Sequence, residues 1–412
     1  MMESVVVLPG APRVDYKSLV MELNPFAYDF HENPYPIYAW LREHAPLYRN
    51  DSLNFYALSR YADVYDAIVD PETYSSAKGT VLEIAPEMID QFPIILFMDP
   101  PRHTRLRRLV SHAFTPRRIN ALEPTVRALA AGYIDRIVDS GDCDFIRDFA
   151  ALLPIEIIST LIGVPAGDRT MVRELTDTAL HREPDRPEFP ESSIAANMQL
   201  VQYFAELVAE HRTHPQEDMV SLLIDAEVEN DRGERERLDD FEIVAFCGLL
   251  SGAGNETVTK LLGNAVVLLA RHPAVRAEIA RDPARIPDAV EEILRYWPPA
   301  QYTMRTLMRD VTVHGRTMPR ETRVLLLIGS ACRDAREHAD PDAFNIARKT
   351  PTQIAFGYGL HHCLGASLAR LESRVSLEEL HRRIPEYEID EARLERVHMS
   401  NVHGFASVPM RI

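Results

Sequence analysis

Apolar residues along this chain recur mainly at helical spacing, and the alternation expected of strands is confined to short runs near its two ends. Residues 35–44 and 60–70 read as short helices around a strand pair at 45–49 and 54–58. The stretch 75–97 has no clear period and mixes apolar residues with Gly79, Pro86 and Pro93. From residue 102 helices dominate, at 102–112, 116–139, 148–162, 168–181 and 195–213. Pro184, Pro187 and Pro190 interrupt them, since proline lacks the N–H that a helix interior needs. A long helix starts near Leu238, with Asp239 or Asp240 as N-cap, and runs to Arg271-His272-Pro273. At about 1.5 Å per residue it spans roughly 50 Å, enough to cross a core. β-like runs follow at 302–307, 310–314, 317–319 and 322–328. The expected fold is mainly α (α+β), helix-rich with a small β-rich region.

At 412 residues the chain has ample volume for a core, and no Ser/Gly-rich linker, low-complexity tract or long repeat divides it. The reading this favours is one large domain over 24–412 after an N-terminal extension over 1–23. A formal charge of −17 argues against nucleic acid or an anionic membrane surface as partner. In the extension, Val5-Val6-Val7-Leu8 is broken at once by Pro9-Gly10. That run is too short for a membrane span and lacks the basic start of a signal peptide. Cys143, Cys247, Cys332 and Cys363 lie far apart in sequence and fit a reducing compartment, so a cytoplasmic location is expected.

Cys363 stands apart from the other three. It lies in Phe356-Gly357-Tyr358-Gly359-Leu360-His361-His362-Cys363-Leu364-Gly365, a glycine-rich bend before a helix-like run at 366–372. Glycines allow backbone angles and close approaches that a Cβ would block. The helix that follows supplies oriented N–H groups and a positive dipole end, which are expected to lower the thiol pKa. Zinc is not indicated, because no second Cys/His cluster at ligand spacing completes four coordinates. The pattern F-G-x-G-x-H-x-C-x-G resembles the haem-thiolate signature of the cytochromes P450, with every fixed position filled. The resemblance implies haem b as cofactor, Cys363 as the axial ligand of its iron, and His361 and Gly365 in contact with it.

Three further segments carry the same resemblance in the same order along the chain. Within the long helix lies Ser251-Gly252-Ala253-Gly254-Asn255-Glu256-Thr257, whose two glycines each cost about 1 kcal/mol relative to alanine, so some gain must offset them. It resembles the family's A-G-x-[DE]-T oxygen-activation motif. That implies Ala253 in a groove facing the haem, with Glu256 and Thr257 as the acid–alcohol pair that delivers protons. Asp99-Pro100-Pro101-Arg102-His103-Thr104 places His103 and Arg107 four residues apart on one helix face, suited to clamping a carboxylate. By resemblance these two bind a haem propionate, with Arg305 and His361 as the other donors. Glu292 and Arg295 share a helical face, and with Arg348 they imply a structural ion network behind the haem.

The resemblance implies the helix-rich triangular prism of the cytochromes P450. It also implies a bacterial-type monooxygenase without a membrane anchor, expected to be monomeric. Electrons would come from NAD(P)H through a reductase and a ferredoxin-type donor, and the substrate would be a hydrophobic small molecule. Arg105, Arg108, Arg117, Arg118, Arg370 and Arg374 are candidates for a basic patch that steers an acidic donor, or else are scattered surface charge. Expected pocket walls are the 79–97 loop (Ile94, Ile95 and Phe97 especially), the 176–190 segment, Leu249, Ala253, residues 300–302 and the turn at 403–405. These are apolar with few charges. Two other classes would use the same cysteine: a haem-thiolate peroxygenase or isomerase, which needs no external electrons, and a non-enzymatic haem-binding protein. The acid–alcohol pair argues against both.

Overall fold

The computed structural model describes residues 22–84, 89, 93–180, 189–229, 233–350 and 352–412. The apolar run at 5–8, Pro86, and the break at Pro184 and Pro187 lie outside the described residues. The long helix is Asp240–Arg271, 32 residues, or about 48 Å at ~1.5 Å per residue. Its N-cap is Asp239, whose carboxylate accepts from Glu242 N (2.7 Å), while Glu242 Oε2 accepts from Asp239 N (3.2 Å). This reciprocal box satisfies two of the amides that a helix start leaves unpaired. The helix packs against Leu152–Ile162, Glu191–Thr213, Ile286–Tyr296 and Ala366–Arg383, and residues 258–269 are all buried.

Several boundaries differ from the sequence expectation for identifiable reasons. The helix expected at 116–139 is two, Pro116–Ala121 and Glu123–Ser140, because Pro124 has no N–H to continue the ladder through Leu122. The one expected at 148–162 is a π-helical turn, Ile146–Ala150, followed by Leu152–Ile162. Helix Glu191–Thr213 begins directly after Pro190, earlier than expected. The main sheet has the order Leu47–Asn50, Phe55–Leu58, Arg323–Leu326, Thr303–Leu307, Tyr74–Ser75. Its Phe55–Leu58 and Arg323–Leu326 pair is parallel, and the other pairs are antiparallel. A second, three-stranded sheet joins Asp142–Asp144 to Pro409–Arg411 and Glu388–Ile389, so the C-terminus closes onto the middle of the chain.

The ion network expected at Glu292 is present and deeply buried. Arg295, with no side-chain exposure, donates from Nε and Nη2 to the two Glu292 oxygens, each at 2.8 Å. It also donates to the carbonyls of Cys332 (3.0 Å), Pro341 (2.8 Å) and Ala343 (3.2 Å). Glu292 accepts in turn from Asn345 N (2.9 Å) and Arg348 Nε (3.3 Å). A buried ion pair is tolerable when its remaining donors and acceptors are matched in this way. The network clamps helix Ile286–Tyr296 to the 332–348 segment that precedes the Cys363 loop.

Glu372, in helix Ala366–Arg383, has the opposite environment. It is buried, and neither carboxyl oxygen has a hydrogen-bond partner. Burial pushes its pKa well above the usual value of 4.5, so the folded chain keeps this proton. Below the unfolded pKa both states hold the proton and the group is neutral to stability. As pH rises through the window between the unfolded and folded pKa, the unfolded chain releases its proton and the native state loses up to about 1.4 kcal/mol per pH unit. Glu372→Gln in the haem-loaded protein is therefore expected to flatten the fall in melting temperature between pH 5 and pH 8. A parallel fall in variant and wild type would refute the assignment.

Candidate active site

The Cys363 loop is built by two turns that need positive φ, at Gly357 (+69°) and Gly359 (+66°), a region that a side chain strongly disfavours. The loop closes through Cys363 N to Phe356 O (2.9 Å). Gly365 is different: its φ is −83°, and an added Cβ would meet only Sγ, at 4.0 Å. It caps helix Ala366–Arg383, and its N–H and that of Ala366 favour the charged form of the sulfur. Solvent reaches Cys363 on the open side of the loop while protein atoms pack densely around the rest. Here the expectation of a lowered thiol pKa is corrected. Burial raises it; the two amides and the Arg107 and Arg370 charges pull it down without reversing the sign.

Four of the expected residues converge beside this loop. The His103 and His361 rings lie 4.3 Å apart between centroids. Arg107 Nη2 donates to His362 O at 2.7 Å, and its charge acts on Cys363. Arg305 is buried and uses Nη1 on Thr303 Oγ1 (2.7 Å) and Met304 O (2.8 Å). Burial holds the His361 imidazole down at about 3, with Arg305, His103 and Arg107 adding to the effect, so it is neutral. Burial likewise lowers His103, then Arg107, against a smaller opposing pull from Asp99. Both ring nitrogens of His103 and Nε2 of His361 are buried without partners. Unpaired buried donors are costly, and these cluster with two guanidinium groups around one cysteine. That donor set fits a haem: a thiolate for the iron, and imidazole and guanidinium groups for two propionates.

Ala253, Glu256 and Thr257 lie on a different wall. At mid-length of the long helix, Ala253 is exposed and Leu249, Glu256 and Thr257 are partly so, whereas Leu250, Ser251, Asn255, Val258 and Thr259 are buried. The helix thus presents one uncovered stripe. Thr257 Oγ1 donates to Ala253 O at 2.9 Å, leaving its lone pairs free to accept. No hydrogen bond joins this stripe to the Cys363 cluster among the described residues. A Cβ on Gly254 would come within 2.9 Å of Ile158, so that glycine serves packing against helix Leu152–Ile162.

Sequence reasoning missed the partner of Glu256. Its Oε1 lies 3.1 Å from Lys260 Nζ, one turn on, in a mostly buried ion pair. The Lys260 stem lies across Gly404, where an added Cβ would sit 2.5 Å from Lys260 Cβ. A lysine four residues after an acid, inside an apolar run, is a readable signal for this pair. Asp177, on helix Arg169–Leu180, stands at the rim, reached by solvent yet crowded enough for its carboxyl to be raised by burial and by Glu256. Arg173, Lys260 and the Asn255 amide partly offset that rise.

The basic patch is corrected in part. Arg105 pairs with Glu242 (2.7 Å) and Glu236 (3.0 Å), Arg370 with Glu291 (2.5 Å), and Arg374 with Glu123 (2.6 Å) and Glu378 (2.8 Å). Arg108, Arg117 and Arg118 are exposed and make no ion pair among the described residues. Near the cysteine loop Tyr65 and Tyr358 are in ring contact at 5.2 Å, and Val69, Tyr358 and Leu360 are exposed. Of the expected pocket walls, Ile95 is buried in the core. Another pocket is lined by Val81, Glu83, Ile84, Phe189, Met399 and Asn401, which places a carboxylate where an almost uncharged wall was expected.

This chain belongs to the cytochrome P450 family, whose members are haem-dependent monooxygenases, and it is such an enzyme. The family model for cytochrome P450 matches residues 186–384. The putative cytochrome P450 123 of Mycobacterium tuberculosis is 46% identical over 393 residues, covering 95% of this chain and 96% of that protein. The vitamin D(3) 25-hydroxylase of Pseudonocardia autotrophica is 37% identical, covering 93% and 95%. The structure of CYP109Q5 from Chondromyces apiculatus superposes with a TM-score of 0.87 at 32% identity, covering 94% of this chain and 97% of that one. No helix among the described residues is long and apolar enough to cross a membrane.

The Glu256–Lys260 pair generates a thermodynamic expectation. Glu256→Gln strands a buried ammonium, and Lys260→Met strands a carboxylate that is better solvated. Each single variant should lower stability to urea, and the double variant should recover part of the loss. The interaction energy expected is on the order of 1–3 kcal/mol. Strict additivity of the two losses would show that the pair is not formed in solution.

Proposed function

We propose that the enzyme binds haem b through Cys363 and inserts one oxygen atom of dioxygen into a hydrophobic small molecule. Electrons would come from NAD(P)H through a reductase and a ferredoxin-type carrier. The observation that carries the haem assignment is the set of buried, unpartnered imidazole nitrogens of His103 and His361 beside Arg107, Arg305 and an accessible cysteine sulfur. Haem, when bound, supplies the iron at which dioxygen is activated. The chain's own residues supply the rest.

Cys363 Sγ would hold the iron of a bound haem, and the Gly365 and Ala366 amides with Arg107 and Arg370 favour its charged form against the opposing effect of burial. His103, Arg107, Arg305 and His361 would take the propionate carboxylates of a bound haem, which would relieve the unpaired burial of the two imidazoles. On the uncovered stripe, the Thr257 hydroxyl accepts a proton-bearing water while its own hydrogen stays on Ala253 O. Glu256 passes protons to that water, Lys260 holds its carboxylate in place, and Asp177 at the rim exchanges protons with solvent. Arg108, Arg117 and Arg118, which make no ion pair among the described residues, and the apolar group Val69, Tyr358 and Leu360 form the surface that an acidic, one-electron carrier would meet. The protein is expected to act as a cytoplasmic monomer, its domain over 24–412.

Two experiments test this reading. The reduced, carbon monoxide-treated protein should show the Soret band of a thiolate-ligated haem, and Cys363→Ala should abolish it. The absence of that band in the wild type, or its persistence in the variant, would sink the haem-thiolate reading. Thr257→Ala should leave the band intact yet lower product formed per NAD(P)H by on the order of tenfold or more, with hydrogen peroxide appearing instead. Unchanged coupling would favour a peroxygenase.

A further inference from the structure

The pocket lined by Val81, Glu83, Ile84, Phe189, Met399 and Asn401 brings together three distant segments of chain. It stands beside the strand Thr303–Leu307, which carries Arg305. Met304 N donates to Thr80 O (2.6 Å), Gln301 N donates to Asn401 O (2.8 Å), and Ala300 bridges Val402. Among the described residues that line it, Val81, Ile84, Phe189 and Met399 are apolar and Glu83 alone is ionisable, and its Oε2 is buried without a hydrogen-bond partner. Glu83 makes no ion pair among the described residues. The polar groups of the adjoining segments are committed elsewhere. Lys78 pairs with Glu321, Arg323 donates to Leu53 O (2.9 Å), and the Tyr302 hydroxyl is bonded to Ser400 Oγ (2.8 Å).

A carboxylate oxygen removed from water with no donor is unfavourable in the free protein, and any ligand that brings a compensating positive charge regains that loss. A ligand carboxylate would compound it. We infer that Glu83 is the head-group anchor of the substrate pocket, and that the enzyme selects apolar molecules bearing a cationic nitrogen over neutral or anionic ones of the same shape. The ammonium seats against Glu83 Oε2 with the Asn401 amide beside it. The apolar body lies on Val81, Ile84, Phe189 and Met399 and extends along the Arg305 strand toward the haem. This deepens the monooxygenase reading above and rests on it.

The test uses the haem-loaded enzyme and three probes of equal chain length: decyltrimethylammonium, decanol and decanoate. The quaternary nitrogen cannot ligate iron, so binding is read for all three from the spin-state shift of the ferric Soret band. The ammonium is expected to bind at least about tenfold more tightly than decanoate, with decanol between them. Glu83→Gln, close to isosteric, should bring all three to within about threefold, and Glu83→Lys should favour decanoate. Equal or tighter binding of decanoate by the wild type would overturn the inference. So would decanol matching the ammonium, a preference that survives in Glu83→Gln, or no shift with any probe. The carbon monoxide band, recorded on the same samples, separates the outcomes. Its absence refutes the haem-thiolate reading, and its presence without a charge preference refutes only the role of Glu83.

Discussion

Positive charge and bare imidazole nitrogens held out of water around one cysteine are the constraint on which the rest of the structure depends. Arg107 and Arg305 lie within reach of His361, and the neutral state of that ring is a direct result of their proximity and of burial. In the chain alone this arrangement is uncompensated, and proteins rarely keep such clusters without a counter-ion. Two carboxylates on a rigid apolar plate would answer every unpaired donor at once. A haem bound there would stabilise the folded chain by mass action, as does any group that binds only the native state.

The framework around the cluster is stiff where it must be. Arg295 is surrounded by acceptors from four residues, three of them carbonyls of the 332–348 segment, so the backbone leading to the cysteine loop is fixed by hydrogen bonds rather than by apolar contact alone. The long helix, by contrast, gives up packing along one stripe at mid-length. A helix whose ends are anchored by a capping box and by a fully buried second half can leave that stripe uncovered without unwinding. Rigidity and open space are thus assigned to different elements.

Much of the site was legible because its parts are local. The glycines around Cys363, the His103–Arg107 spacing and the Glu292–Arg295 pair each lie within one turn or one helix, where spacing dictates geometry. What escaped was non-local. The sign of the Cys363 shift depends on how densely other segments pack on the sulfur, which the helix that follows does not reveal. Arg105, Arg370 and Arg374 each pair with a carboxylate far away in sequence, so these arginines read as free charge. Glu83 sits in a stretch with no period, and its neighbours Met399 and Asn401 come from the far end of the chain. Two misses were readable in principle: Pro124, which splits the 116–139 helix, and Lys260, which stands in an apolar run four residues after an acid.

The contact between Lys260 and Gly404 couples two positions that are remote in sequence. A side chain at 404 would meet Lys260 Cβ, an atom that every residue but glycine carries, so shortening position 260 does not make room for one. The long helix therefore holds position 404 to glycine whatever side chain stands at 260. The C-terminal turn is free to vary around that glycine but not at it.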